Sequence, residues 1–150
     1  MPYDPALVQP MREELSHLGF QELRTPEEVD REIGDSPEPV LLVVNSVCGC
    51  AAGVARPGVA MSLGHPMAPK KRTTVFAGQD LEATARARGY FEGRPPSSPQ
   101  VAILSGGRLL YLMQRHEIEG RSPGEIAAAL EAAYERVAKE TEAAGVRRES

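Results

Sequence analysis

Residues 39 to 44 read Pro-Val-Leu-Leu-Val-Val, an unbroken run of β-branched and leucine side chains behind a proline. Successive side chains of a strand point to opposite faces of its sheet, so a strand without a polar position has no face to give to water. Such a run needs cover on both sides, as strands of parallel or mixed sheets have. The rest of the chain must therefore supply two layers of helix around a sheet that holds this strand.

The flanking segments read accordingly. Asp4-Pro5 starts a helix with Leu7, Met11, Leu15 and Leu18 at helical spacing and Gly19 as its stop; Pro10 is expected to kink it or to move its start. Residues 20–23 read as a short strand. Thr25, Pro26 and Glu28 open a second helix through a capping box, and Gly34 ends it. Residues 48–64 are rich in alanine and poor in β-branched residues, which predicts a helix with a kink at Pro57. A strand is expected over 72–77 and a helix ending at Gly89. Residues 92–100 are a loop by composition, and two strand-like runs meet at Gly106-Gly107, a hairpin signal. Ser122, Pro123 and Glu125 begin the clearest helix, whose Ile126, Leu130, Ala133 and Val137 form an apolar stripe; residues 143–150 are expected to fray. This order is the thioredoxin-like plan, an α/β fold with a central mixed sheet flanked by helices. At 150 residues the chain fits one domain, residues 1–150. A chain of this length buries about 68–70% of its unfolded surface and needs no disulfide to fold.

The chain nevertheless has two cysteines, Cys48 and Cys50, placed where the apolar strand meets the alanine-rich stretch. The amino terminus has no basic start followed by a long apolar stretch, and no segment approaches the roughly 20 apolar residues of a membrane span. The expected location is the cytoplasm, with no membrane partner. There thiols stay reduced, and a cysteine pair is catalytic or metal-binding more often than structural. A net charge of −4 argues against general nucleic-acid binding, which needs a concentrated basic surface.

At a strand-to-helix turn, Cys48 would face unpaired N–H groups and the positive end of the helix dipole. Both favour a thiolate, the form that attacks disulfides. Cys50 is close enough to attack back. Gly49 between them, lacking a Cβ, bends most readily into the small ring that an i, i+2 disulfide closes. Two alternatives stand beside this redox reading. The pair also reads as inert core thiols, or as a metal clip, for which two sulfurs leave a tetrahedral ion short of ligands and His17, His65 and His116 show no ligand spacing. In a thioredoxin-like arrangement Ser98-Pro99 would carry a cis-proline opposite the cysteine turn, with adjacent backbone pairing to a substrate polypeptide. Arg56 is a candidate partner for an anionic substrate or a solvated side chain. Lys70-Lys71-Arg72 reads as a solvated run. Asn45 and Ser46 are placed to bond the thiolate turn or to cap the helix; Asn45 and Gly49 join Arg56, Ser98 and Pro99 as substrate-binding candidates.

Residues 45–58, Asn-Ser-Val-Cys-Gly-Cys-Ala-Ala-Gly-Val-Ala-Arg-Pro-Gly, resemble the signature of the bacilliredoxin family, small bacterial thioredoxin-like proteins with Cys-x-Cys centres. Residues 3–30 and 113–126 are similar to that family too, so the resemblance runs from about Tyr3 to Lys139. It implies reduction of mixed disulfides between proteins and bacillithiol, a low-molecular-weight thiol that would serve as co-substrate, with no bound cofactor. Cys48 would match the attacking cysteine and Cys50 the resolving one. The implied partners are S-bacillithiolated proteins, bacillithiol and a recycling disulfide reductase; weak disulfide isomerase activity is also implied. Bacillithiol carries a malate unit, which directs attention to Arg56 and to residues 70–72 as anion contacts.

Overall fold

The computed structural model describes residues 2–149, with side chains described through residue 141. Its elements are α1 (Pro5–Ser16), β1 (Gln21–Glu22), α2 (Pro26–Val29) continuing as a π-helical turn (Asp30–Gly34), β2 (Val40–Asn45), a second π-helical turn (Ala51–Ala55) leading into α3 (Arg56–Ser62), β3 (Lys71–Phe76), α4 (Leu81–Gly89), β4 (Gln100–Ser105), β5 (Arg108–Met113), α5 (Arg115–Ile118) and α6 (Pro123–Glu149). Ser150 and the side chains from residue 142 onward lie outside the described residues, and with them part of the stretch expected to fray. Among the described residues no helix is long and apolar enough to cross a membrane.

The apolar run becomes β2, and all six of its residues are buried. It is the middle strand of a five-stranded sheet in the order β1-β3-β2-β4-β5. β2 runs parallel to β3, which is parallel to β1, and antiparallel to β4, which is antiparallel to β5. The alternation of side chains along β2 divides the core. Leu41 and Val43 join Leu15, Ala55, Val59, Ile126, Leu130 and Tyr134 beneath α1, α3 and α6. Val40, Leu42 and Val44 join Val29, Ile33, Ala83, Ala87 and Phe91 beneath α2 and α4. The mixed sheet with helices on both faces expected from the element order is the architecture observed.

Local chemistry accounts for the boundaries. Asp4 caps α1, its carboxylate accepting from the Ala6 N–H at 2.9 Å, and the helix runs unbroken through Pro10, so the start is not displaced. Thr25 and Ser122 accept from the N–H groups of Glu28 and Glu125 at their helix starts, as the capping boxes require. Gly106 and Gly107 both have positive φ, +59° and +76°, the pair of values that a two-residue turn between twisted strands demands. Near Pro57 the irregularity takes the form of a widened turn. The Arg56 N–H bonds to the Ala51 carbonyl, five residues back, and Pro57, which has no N–H to give to the turn before it, follows directly inside the continuing helix as α3 begins.

The register fixes which ends meet. Val44 lies opposite Gln100, Val101 opposite Met113, and Asn45 opposite Phe76. One edge of the sheet therefore gathers the carboxyl ends of β2, β3 and β5 and the amino end of β4. Arg12 braces that edge. Its guanidinium grips the Asp80 carboxylate through both terminal nitrogens, at 2.9 and 2.8 Å, reaches Glu22 at 3.0 Å, and stacks over Phe76 at 5.3 Å.

Candidate active site

Beyond β2 the chain turns into a helix at Cys48. The Ala51 and Ala52 N–H groups donate to the Cys48 carbonyl at 3.0 and 3.3 Å, so Cys48 occupies the capping position of the helical segment that carries the second π-turn and α3. At such a position a side-chain acceptor takes the free N–H of one of the next residues. Here the acceptor is sulfur. The backbone N–H groups of Cys50 and, more weakly, Ala51 favour the ionised form of that sulfur.

The turn is built from its own polar side chains. Asn45, buried at 1% exposure, donates from Nδ2 to the Met11 carbonyl at 3.1 Å and accepts from the Ser46 N–H at 2.9 Å. Ser46 Oγ then accepts from the Cys48 N–H at 3.0 Å. From below, Arg56 donates from Nη1 to Asn45 Oδ1 at 2.9 Å and to the Ser46 carbonyl at 3.0 Å, and from Nε to Glu14 at 2.7 Å. Asn45 and Ser46 thus build the cysteine turn. Asn45 and Arg56, both expected among the substrate contacts, are 1% and 4% exposed; Asn45 is bonded to Met11, Ser46 and Arg56, and Arg56 spends Nε and Nη1 on Glu14, Asn45 and Ser46. Arg56 holds the floor of the cysteine turn.

Both cysteines are free and partly exposed, and their surroundings push the two thiols apart. The Cys50 N–H lowers the Cys48 pKa most, helped by the Cys50 side chain, the positive charge of Arg115 and the Ala51 N–H. Burial is the largest cause acting on Cys50, which packs against the core beneath α1, α3 and α6. The neighbouring Cys48 thiolate and the Glu119 carboxylate raise it further. The surroundings therefore favour the thiolate more at Cys48 and the thiol more at Cys50.

Gly49 is exposed, and a Cβ built on it meets nothing within 4 Å. Its φ is not in the left-handed region. The reduced turn does not require glycine there, so any need for one concerns the ring closed by a Cys48–Cys50 disulfide. The Ser98–Pro99 peptide bond is cis, and the residues beside it lie at the same sheet edge as the cysteines. Ser97 Oγ donates to Gln114 Oε1 at 3.0 Å, Gln100 Nε2 donates to the same oxygen at 3.3 Å, and the Arg115 N–H donates to Ser97 Oγ at 3.3 Å. The start of α5 is in this way tied to the loop before Pro99.

Residues 70–72 fall elsewhere. Lys71 pairs with Val40, the first residue of β2, so the run lies at the sheet edge opposite the cysteines. Lys71 is 3.8 Å from Glu32, and Arg72 bonds the Pro69 and Leu18 carbonyls. Among the described residues the cation whose charge acts on both cysteines is Arg115, which nothing in its local sequence singles out. It stands 65 positions beyond Cys50 and is brought there by the return of the β4–β5 hairpin. Among the described residues no group of three or more His, Cys, Asp or Glu side chains is placed to hold a metal ion.

A family model described as disulphide isomerase matches residues 3–138. A bacilliredoxin of Salinibacter ruber is 52% identical over 137 residues, covering 90% of this chain and 81% of that one. One of Koribacter versatilis is 47% identical over 133 residues, covering 89% and 92%. Thioredoxin O2 of Arabidopsis thaliana, solved in its oxidised state, superposes with a TM-score of 0.51 at 17% identity, covering 77% of this chain and 94% of that one. The fold is thioredoxin-like.

Proposed function

The chain belongs to the bacilliredoxin family and is a thiol–disulfide oxidoreductase, and on that premise we propose that it removes bacillithiol from S-bacillithiolated proteins through Cys48, with Cys50 as the resolving partner. The observation that carries this reading is the division of labour within the pair: Cys48 holds the capping position of a helix, where its surroundings favour the thiolate, while Cys50, two residues on, lies in surroundings that favour the thiol.

In the first step the Cys48 thiolate attacks the bacillithiol sulfur of the mixed disulfide. A Cys48–bacillithiol disulfide forms, the original bond breaks, and the protein leaves as a thiolate that takes a proton from water. Once Cys48 is in a disulfide its negative charge is gone. Two of the influences that raise the Cys50 pKa, the bond to the Cys48 sulfur and repulsion by its charge, go with it. Cys50 then ionises more readily, in the form needed to attack Cys48 and release bacillithiol as thiolate. The balance is one mixed disulfide reduced and one dithiol oxidised by two electrons. A cellular disulfide reductase must restore the dithiol, which suits a reducing compartment such as the cytoplasm. Around the reacting sulfurs, Ser98 and Pro99 would present backbone to the substrate polypeptide as an added strand does.

Intact mass measurement after mixing with an S-bacillithiolated protein tests the assignment. The native chain should lose two hydrogens, Cys50→Ser should retain one bacillithiol, and Cys48→Ser should neither gain mass nor release bacillithiol. Full activity in Cys48→Ser would overturn the roles. A second reading, isomerisation or reduction of protein disulfides, is favoured by the description of the matching family model. Under it, recovery of a scrambled disulfide protein would be fast while release of bacillithiol would be slow.

A further inference from the structure

The geometry points to Arg115 as the residue that receives a carboxylate of the substrate beside the reacting disulfide, with Glu119 as the counter-ion it exchanges. The inference rests on the de-bacillithiolation reading, because bacillithiol brings a malate unit to the cysteine mouth.

Position comes first. Arg115 begins α5 immediately after β5, whose last residue, Met113, pairs with Val101 of β4. Gln100, one residue earlier, pairs with Val44, just before the turn that holds Cys48. The Arg115 backbone is fastened by the Ser97 bond, and Gln114 before it is 8% exposed and bonded to Ser97 and Gln100. The arginine is therefore carried on a fixed base at the edge of the sheet where the cysteines sit.

Its side chain is differently situated from the other candidate cations. Arg56 is buried and committed, and residues 70–72 lie at the far edge. The Arg115 side chain is 45% exposed and pairs with Glu119, itself 50% exposed, through a single Nε contact of 2.6 Å. An exposed pair of this kind is weakly held, whereas a guanidinium can take an incoming carboxylate through two parallel N–H bonds. The register brings the start of α5 to the end of the sheet where an adduct on Cys48 would sit, and in keeping with that placement the charge of Arg115 acts on both sulfurs and that of Glu119 on Cys50. Exchange of Glu119 for a substrate carboxylate leaves Arg115 neutralised and turns one negative charge away from the mouth.

The test compares disulfides of different charge on the full chain. Rate constants for reduction of bacillithiol disulfide, oxidised glutathione (both anionic) and hydroxyethyl disulfide (neutral) would be measured for the native chain, Arg115→Gln and Glu119→Gln, with melting curves to show that all are folded. Alkylation by anionic iodoacetate against neutral iodoacetamide would be measured in parallel, a ratio in which the thiolate fraction cancels. Arg115→Gln should slow the anionic disulfides about tenfold relative to the neutral one, the size of one charge-assisted hydrogen bond, and should lower the iodoacetate ratio. Glu119→Gln should shift both the other way. Equal slowing of all disulfides, with the alkylation ratio unchanged, would show that Arg115 acts only through the Cys48 thiolate and would overturn the inference. A native chain that ignores bacillithiol disulfide but reduces hydroxyethyl disulfide would refute the bacillithiol reading instead, and oxidised glutathione would then decide the arginine alone.

Discussion

Replacing Arg56 by methionine keeps an apolar stem in the same space and removes the guanidinium. Buried ion pairs replaced by well-packed apolar residues are often neutral or stabilising, so the sign must be worked from the partners left behind. Glu14 is 49% exposed and rehydrates, which limits its loss to under about 1 kcal/mol. Asn45 Oδ1 keeps the Ser46 N–H as a donor. The Ser46 carbonyl, in a residue 5% exposed, loses the Nη1 donor, and a buried acceptor left unsatisfied costs about 1–3 kcal/mol. The sum is a loss of about 1–4 kcal/mol, or a fall in Tm of about 2–16 °C for a chain of this size. Glu14→Gln should lower Tm by only about 1–3 °C, since it touches only the exposed partner. Because Ser46 also positions the Cys48 N–H, Arg56→Met should slow alkylation of Cys48 at neutral pH as well. Thermal unfolding and iodoacetamide kinetics measure the two effects. A Tm of Arg56→Met within 2 °C of the native value would refute the reasoning that Arg56 holds the turn.

Gly58→Ala places a Cβ 2.7 Å from the Ile126 Cβ and 3.0 Å from the Pro123 carbonyl, where α3 crosses α6; overpacking of this kind should cost about 1–3 kcal/mol in a denaturant titration. Gly49→Ala meets no neighbour, so stability of the reduced protein should stay within about 0.5 kcal/mol, while equilibration with a reference dithiol should show the Cys48–Cys50 disulfide harder to form. Cys50→Ser should accumulate a Cys48–bacillithiol adduct that exogenous bacillithiol slowly discharges, followed by intact mass.

Much of this was legible in the chain because strong local signals agree with the global fold. The β2 run required two covering layers, and alternate β2 residues do feed two separate cores. Capping residues at 4, 25 and 122 marked helix starts because a side-chain acceptor there satisfies free N–H groups. Cys48 was legible as a turn residue for the same reason. What the chain did not disclose is set by long-range pairing. Arg56 looks like a surface cation from its neighbours, and only the approach of α1, bringing Glu14, makes it a buried clamp. Residues 70–72 look close to the cysteines along the chain, but β3 runs parallel to β2 and puts its first residues at the far edge. Arg115 is distant in sequence and near in space because a hairpin returns it. Local spacing carries none of these three facts.

The central claim is that Cys48, as the cap of a helix, is the ionised sulfur of the pair. The rate of iodoacetamide alkylation of each cysteine as a function of pH, resolved by peptide mass, tests it most directly, since only the thiolate reacts. The rate at each sulfur falls as pH drops through its own pKa. The Cys48 midpoint should therefore lie below the ordinary thiol value of about 8.5, leaving it reactive at neutral pH, and the Cys50 midpoint, read from initial rates on chains whose Cys48 is still unmodified, should lie above it. A Cys48 midpoint at or above 8.5, or a reversed order of the two, would contradict the account.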